Sequence, residues 1–158
     1  KENLFNILDH SKQIFTKIKG SNILDLYSGF GSFGLECFSR GAKHVTFVEN
    51  NLEVKKTLKE NLIKLNIDEK KIILLSEMEK NLRFLEKLKF NIIFLDPPFS
   101  DLQFVRYLEI LKKRQMYTKD HIIVIHREIK TFDNFQGLIN IITEKKYGRS
   151  KIIFSNFS

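Results

Sequence analysis

The sequence predicts an α/β protein: a mostly parallel sheet with helices on both faces, finished by an antiparallel hairpin. Three observations predict it. Short apolar runs alternate with amphipathic stretches, the pattern of successive βα units. An early apolar run leads into Gly29-Phe30-Gly31-Ser32-Phe33-Gly34 and then into a helical pattern. The last two β-rich runs, 137–143 and 150–157, are joined around Tyr147-Gly148, as hairpin strands are.

Each element has its own warrant. Residues 2–18 read as an opening helix on the spacing of Leu4, Phe5, Ile7, Leu8, Ile14 and Phe15, with Gly20 as its stop. Residues 23–27 form the first strand, and 32–40 the next helix, closed by Gly41. The second strand is 45–49. The helix 52–65 places Leu52, Leu58, Leu62 and Leu65 on one side. The third strand is 71–75, followed by a helix over 77–88 carrying Leu82, Leu85 and Leu88. The fourth strand, 91–95, ends at Asp96-Pro97-Pro98-Phe99. A helix over 102–113 and a fifth strand over 121–126 complete the parallel part.

Composition narrows the function classes. A chain of 158 residues suits one domain, 1–158. Residue 1 is Lys rather than Met, so the sequence is expected to begin inside a longer chain. No apolar run reaches membrane-span length. The single cysteine, Cys37, excludes an intrachain disulfide and a multi-cysteine zinc site; a buried thiol in a reducing cytoplasm is the natural reading. No His/Asp/Glu spacing resembles a metal site. The net charge of +8 makes nucleic acid the first partner to consider. The abundance of Lys, Asn, Ile and Phe, typical of AT-rich coding, accounts for much of that charge equally well.

The glycine loop carries the first chemical signal. Its glycines permit a tight turn and close approach to a ligand, and the following helix offers free N–H groups. Glu49 ends the next strand 18 positions after Gly31, where a carboxylate can bond a ribose hydroxyl pair. A nicotinamide dinucleotide and S-adenosylmethionine share that ribose. Asp25 separates them: a carboxylate there repels a pyrophosphate but suits an amino group and a sulfonium. S-adenosylmethionine is the expected cofactor.

The second signal is Asp96-Pro97-Pro98-Phe99, at the C-terminal end of a strand, where open α/β sheets bind ligands. The exocyclic amino group of a purine or cytosine is a poor nucleophile, because its lone pair is delocalised into the ring. A carboxylate and a backbone carbonyl accepting its two N–H bonds favour a localised lone pair. Asp96 suits the first role, the carbonyl of Pro97 the second, and Phe99 can stack on the base. Pro97 and Pro98 stiffen the turn.

With these features in place, the chain resembles the class I S-adenosylmethionine-dependent methyltransferases, and more narrowly the bacterial RsmD-type enzymes. Lys1-Glu2-Asn3-Leu4-Phe5-Asn6-Ile7-Leu8 resembles that family's Arg-Glu-x-Leu-Phe-Asn-x-Leu helix. Gly34-Leu35-Glu36-Cys37-Phe38-Ser39-Arg40-Gly41-Ala42 resembles its Gly-Leu-Glu-Ala-x-Ser-Arg-Gly-Ala segment, the most specific match. Val48-Glu49 and the Asp-Pro-Pro-Phe loop agree too. The resemblance implies a Rossmann-like class I fold, a seven-stranded sheet with its last strand antiparallel. It implies methylation of a guanine N2 in 16S ribosomal RNA, within the small subunit or its assembly intermediate; a monomer is expected, since nothing in the sequence suggests an obligate partner. It also implies a cofactor site of Asp25, Gly29, Gly31 and Glu49, with Tyr27, Gly34 and Asn50 beside them. Ser76 or Glu77 would meet the adenine, and Asp96 through Phe99 the target base. The family's basic segment before the opening helix is absent from this sequence.

Three other functions compete. An adenine-N6 methyltransferase would use the same Asp-Pro-Pro-aromatic loop. A nicotinamide-dependent oxidoreductase is disfavoured by Asp25 and the terminal hairpin. A non-catalytic RNA-binding module is disfavoured by an intact Asp96. His10 and His44 read as surface residues, and His121 and His126 flank the fifth strand. For His126 a strand-end or core role is preferred over a place in the site. Lys112, Lys113 and Arg114 form one basic cluster, and Lys145, Lys146, Arg149 and Lys151 another; each suits RNA phosphates or a solvated face equally. Tyr147-Gly148-Arg149 is a candidate substrate contact.

Overall fold

A computed structural model describes residues 2–158. Its seven strands are β1 (Asn22–Leu26), β2 (His44–Val48), β3 (Ile72–Leu75), β4 (Phe90–Leu95), β5 (Tyr117–Glu128), β6 (Ile139–Tyr147) and β7 (Ser150–Phe157). They form one sheet in the order β3-β2-β1-β4-β5-β7-β6. β1 to β5 pair in parallel, whereas β7 runs antiparallel between β5 and β6. The order reverses between β1 and β4, so their C-terminal ends flank the crevice where such sheets take ligands.

Period-two alternation divides the core between the two faces. Ile23, Val45, Phe47, Ile92 and Val124 face α1 (Glu2–His10), α2 (Ser32–Ser39) and α3 (Leu52–Lys64). Leu24, Leu26, Ile93, Leu95, Ile123 and Ile125 face α4 (Leu82–Leu85) and α5 (Gln103–Lys113). The central strands are buried on both faces, which is why they read as continuous apolar runs. Cys37 is buried within the first cluster, and burial raises its thiol pKa.

The expected boundaries differ from the observed ones in four places. The opening helix stops at His10 rather than continuing to residue 18. Ile14, Thr16 and Ile18 are buried while Phe15 is 81% exposed, so this stretch is extended with period two. Ser11 ends the helix: its N–H donates to the Ile7 carbonyl, and its Oγ accepts from Gln13 N at 3.2 Å. The helix expected over 77–88 is a 3-10 turn (Glu79–Asn81) followed by the four-residue α4. β5 begins four residues before the expected strand, behind the polar Thr118, Lys119 and Asp120. β6 starts at Ile139 rather than 137 and runs through Glu144, Lys145 and Lys146, charges suited to an exposed edge.

His121 fixes the junction of β5 and β7. Its Nδ1–H donates to the Thr118 carbonyl (2.7 Å), and Nε2 accepts from Phe157 N (2.9 Å), so the neutral ring is required. Burial lowers its pKa below the ordinary 6.5. The unfolded chain therefore binds this proton more readily. The contribution to stability is complete above about pH 6.5 and is lost as pH falls toward the lower folded-state value. The expected slope from this group is at most about 1.4 kcal/mol per pH unit. Urea unfolding between pH 7 and pH 5 checks it: His121→Gln should remove that component of the pH dependence. A slope unchanged in the variant would assign it to other groups.

Candidate active site at the C-terminal ends of β1, β4 and β5

Three loops and the final hairpin meet at one end of the sheet. The first loop is the glycine turn. Gly29 and Gly31 adopt φ of 56° and 87°, a region glycine enters without strain. At Gly31 a Cβ would lie 2.2 Å from Leu58 Cδ1, and at Gly34 a Cβ would lie 2.3 Å from Phe47 Cε1. These two glycines let the loop and α2 settle against α3 and β2. Asp25 is buried beneath the loop, where its Oδ2 accepts from Gly34 N at 3.2 Å. Its carboxylate therefore sits in the scaffold of the turn rather than in the cavity wall. A strand-end carboxylate left dry needs such donors, and the α2 N-terminus supplies one.

Ser28 was not singled out by the sequence. Its Oγ donates to the Asp25 carbonyl (2.6 Å) and accepts from Val48 N (3.0 Å), clamping the ends of β1 and β2. Tyr27 takes a positive φ of 59°, uncommon for a non-glycine residue. Burial pushes its hydroxyl well above the usual tyrosine range, and the nearby Asp101 carboxylate adds to the shift.

Glu49 follows β2 directly. Its Oε2 accepts from Gly29 N (2.8 Å) and its Oε1 from Asn51 N (3.0 Å), so the carboxylate is joined to the glycine loop. Asn50 is exposed beside it. At the end of β3, Ser76 Oγ accepts from Lys55 Nζ at 2.8 Å. Glu77 is turned to the surface in an ion pair with Lys80. Of the two, Ser76 is the one tied to an element beside the loop.

The Asp96-Pro97-Pro98-Phe99 loop leaves β4. Asp96 Oδ1 lies 2.7 Å from His126 Nδ1, and the Phe99 ring stands edge-on to His126 at 6.0 Å. Pro97 is buried. Arg127, fully buried, holds the loop from behind. Its Nη1 and Nη2 donate to the carbonyls of Pro98 (3.2 Å) and Phe99 (3.0 Å). The same guanidinium makes a two-bond contact with Asp133 at 2.9 and 3.0 Å and covers the Phe104 ring at 4.6 Å. The carbonyls it takes are the two that follow Pro97.

A cavity of about 320 Å³ joins these parts. Tyr27, Ser28, Ser32 and Phe33 line it from the glycine loop, Asp96 from β4, His126 from β5, and Tyr147 and Ser150 from the hairpin. Asn3, Leu4 and Phe5 of α1 close one side, with Phe5 stacked on Phe33 (5.4 Å) and Phe33 on Phe94 (3.9 Å). Lys1 of the opening motif lies outside the described residues. The structure therefore places His126 in the cavity, against the preferred reading of a strand-end or core residue. The sequence could not show that parallel register sets it beside Asp96. Arg127 and Asp133 were missed as well; a lone arginine within 121–129 was the available hint.

The basic clusters separate. Arg114 pairs with Glu86, and Lys112 Nζ donates to Ser158 Oγ at 2.7 Å. That cluster lies at the C-terminal end of α5, where the chain enters β5, at the end of the strands opposite the cavity. Lys145, Lys146 and Arg149 are exposed on the hairpin next to Tyr147. Among the described residues no group of acidic, His and Cys side chains is arranged to hold a metal. No helix among them is long and apolar enough to cross a membrane.

The carboxylates present fit S-adenosylmethionine. A buried carboxylate under the glycine loop favours a cationic ligand above it and opposes a pyrophosphate, and a second carboxylate, Glu49, is bonded to the loop at Gly29. Sheet order, terminal antiparallel strand and site together define a class I, S-adenosylmethionine-dependent methyltransferase.

Residues 1–156 match the family described as Conserved hypothetical protein 95. The chain belongs to this family, that of the RsmD-type methyltransferases. It is 33% identical to Ribosomal RNA small subunit methyltransferase D of Buchnera aphidicola subsp. Baizongia pistaciae, across 98% of this chain and 76% of that protein. A solved conserved hypothetical protein from Streptococcus pyogenes superposes with a TM-score of 0.80 at 26% identity, covering 97% of this chain and 92% of that one. The structure of SMU.776 complexed with SAH shares the fold at a TM-score of 0.72 and 12% identity, over 96% of this chain and 49% of that one.

Proposed function

We propose that this chain, as a cytoplasmic monomer, methylates the exocyclic N2 of a guanine in 16S ribosomal RNA, in the small subunit or its assembly intermediate. The observation that carries the reading is that the glycine loop and Asp96 line one cavity. The relative from Buchnera, named for the small-subunit RNA, supports the substrate class. S-adenosylmethionine supplies the electrophilic methyl group.

The protein's part is placement. Gly29, Gly31 and Glu49 hold the cofactor against the end of β1, with Tyr27, Gly34, Asn50 and Ser76 around it. Asp96 accepts one N–H bond of the base amino group, and the Pro97 carbonyl accepts the other. Phe99, 42% exposed and edge-on to His126, stacks on the base face. The base must leave its stack to reach this cavity. Lys145, Lys146 and Arg149 meet the RNA phosphates beside it.

The test is transfer of labelled methyl from S-adenosylmethionine to unmethylated small ribosomal subunits, followed by nucleoside analysis. Label in N2-methylguanine is expected. Label in N6-methyladenine would replace the guanine assignment, and no transfer to any ribosomal RNA would overturn the substrate class.

Glu49→Ala is expected to weaken S-adenosylmethionine binding by about 10- to 100-fold, the loss of hydrogen bonds to a charged acceptor. Isothermal titration measures it. An unchanged affinity would leave Glu49 as a brace for Gly29 alone.

A further inference from the structure

We infer that His126 is a positioning residue for methyl transfer: its Nδ1–H clamps one carboxylate oxygen of Asp96 and aims the other at the base amino group. The inference rests on the role proposed for Asp96 and extends it.

The geometry begins with strand register. β4 and β5 pair in parallel with Leu95 opposite Ile125, so the next residues, Asp96 just past the end of β4 and His126 still within β5, stand side by side. The contact between Asp96 Oδ1 and His126 Nδ1 is 2.7 Å, a charge-assisted hydrogen-bond length. A carboxylate only accepts, so Nδ1 carries the proton and donates it. His126 is itself held. Its backbone pairs with Ile152 of β7, and Phe99 stands edge-on to the ring. Both side chains line the cavity, His126 30% and Asp96 48% exposed.

This contact has a chemical consequence. An exposed aspartate turns freely about its last torsion, and either oxygen can meet the substrate. With Oδ1 committed to the imidazole, the plane of the carboxylate is fixed and Oδ2 remains for the amino group. During transfer the base nitrogen forms a bond to the methyl carbon, and the carbon–sulfur bond breaks with its electron pair going to sulfur. The nitrogen becomes cationic and then releases one proton to water. The carboxylate, held in plane by His126, stabilises that developing charge. Orientation of this kind affects the turnover step and leaves cofactor binding untouched.

The experiment compares wild type, His126→Ala, His126→Asn and Asp96→Ala in the methyl-transfer assay, with cofactor affinity and melting temperature measured on each. His126→Ala is expected to lower kcat by about 10- to 100-fold, with KM for RNA and cofactor affinity within about two-fold of wild type. His126→Asn, whose amide N–H can replace the Nδ1–H, is expected to recover most of kcat. In the Asp96→Ala background, His126→Ala should cost nothing further. Nitrogen NMR of the histidines supplies a readout free of activity: the His126 Nδ1 proton should be present in wild type and redistributed in Asp96→Ala. A wild-type kcat in His126→Ala, or no rescue by Asn, would overturn the inference. A fully active Asp96→Ala would overturn the reading beneath it instead.

Discussion

Replacing Asp96 by alanine is expected to lower methyl transfer by at least about 100-fold while S-adenosylmethionine still binds within about two-fold of wild type. The separation follows from where the residue sits. In the proposed site the glycine loop and Glu49, joined at the ends of β1 and β2, are the cofactor's holders, whereas Asp96 enters the cavity from β4. Losing a preorganised acceptor of charge developing in the transition state costs turnover rather than binding. Asp96→Asn is expected to fall between, because its amide oxygen still accepts one hydrogen bond. Single-turnover transfer with saturating cofactor measures the first quantity, and titration calorimetry the second. If cofactor affinity collapsed along with transfer, Asp96 would belong to the cofactor's wall and not to the base.

The largest expected loss of stability is at Arg127. Arg127→Met is expected to destabilise the fold by about 3–5 kcal/mol, read as a lower midpoint in urea unfolding. Asp133, 2% exposed at its side chain, would then carry an uncompensated charge, and the carbonyls of Pro98 and Phe99 would lose their donors. The double variant Arg127→Met with Asp133→Leu should recover much of the loss, since most of the penalty is the stranded carboxylate. Arg127→Lys should fall between, because an ammonium cannot reproduce the two-bond contact with Asp133. A midpoint unchanged in Arg127→Met would show that solvent reaches Asp133.

The sequence made the sheet readable through its grammar: strands buried on both faces are bare apolar runs, and β1, β2, β3 and β4 were placed within a residue at either end. The hairpin was readable because Tyr147-Gly148 interrupts two β-rich runs. Ile14 and Phe15 misled: taken as neighbours on one helix face, they point to opposite sides of an extended stretch, Ile14 buried with Thr16 and Ile18 and Phe15 exposed. The glycine loop and the Asp-Pro-Pro-Phe turn stand out because each needs rare residue types in a fixed order. Arg127, Ser28 and His126 lacked that advantage. Their places depend on contacts between segments far apart in the chain, such as register across β4 and β5, which local patterns do not encode.

The insertion of β7 between β5 and β6 bears on how the protein is made. β1 to β5 emerge from the ribosome first, yet until residues 150–157 arrive β5 offers an open ladder of unpaired backbone groups and an apolar flank. β6 cannot cover it, since its partner is β7 alone. Ser150, which completes the cavity wall beside Tyr147, arrives with the same segment. Closure of the sheet and assembly of the reaction chamber are thus a single late event in synthesis, and a nascent chain halted before it would hold the cofactor loop without a finished site.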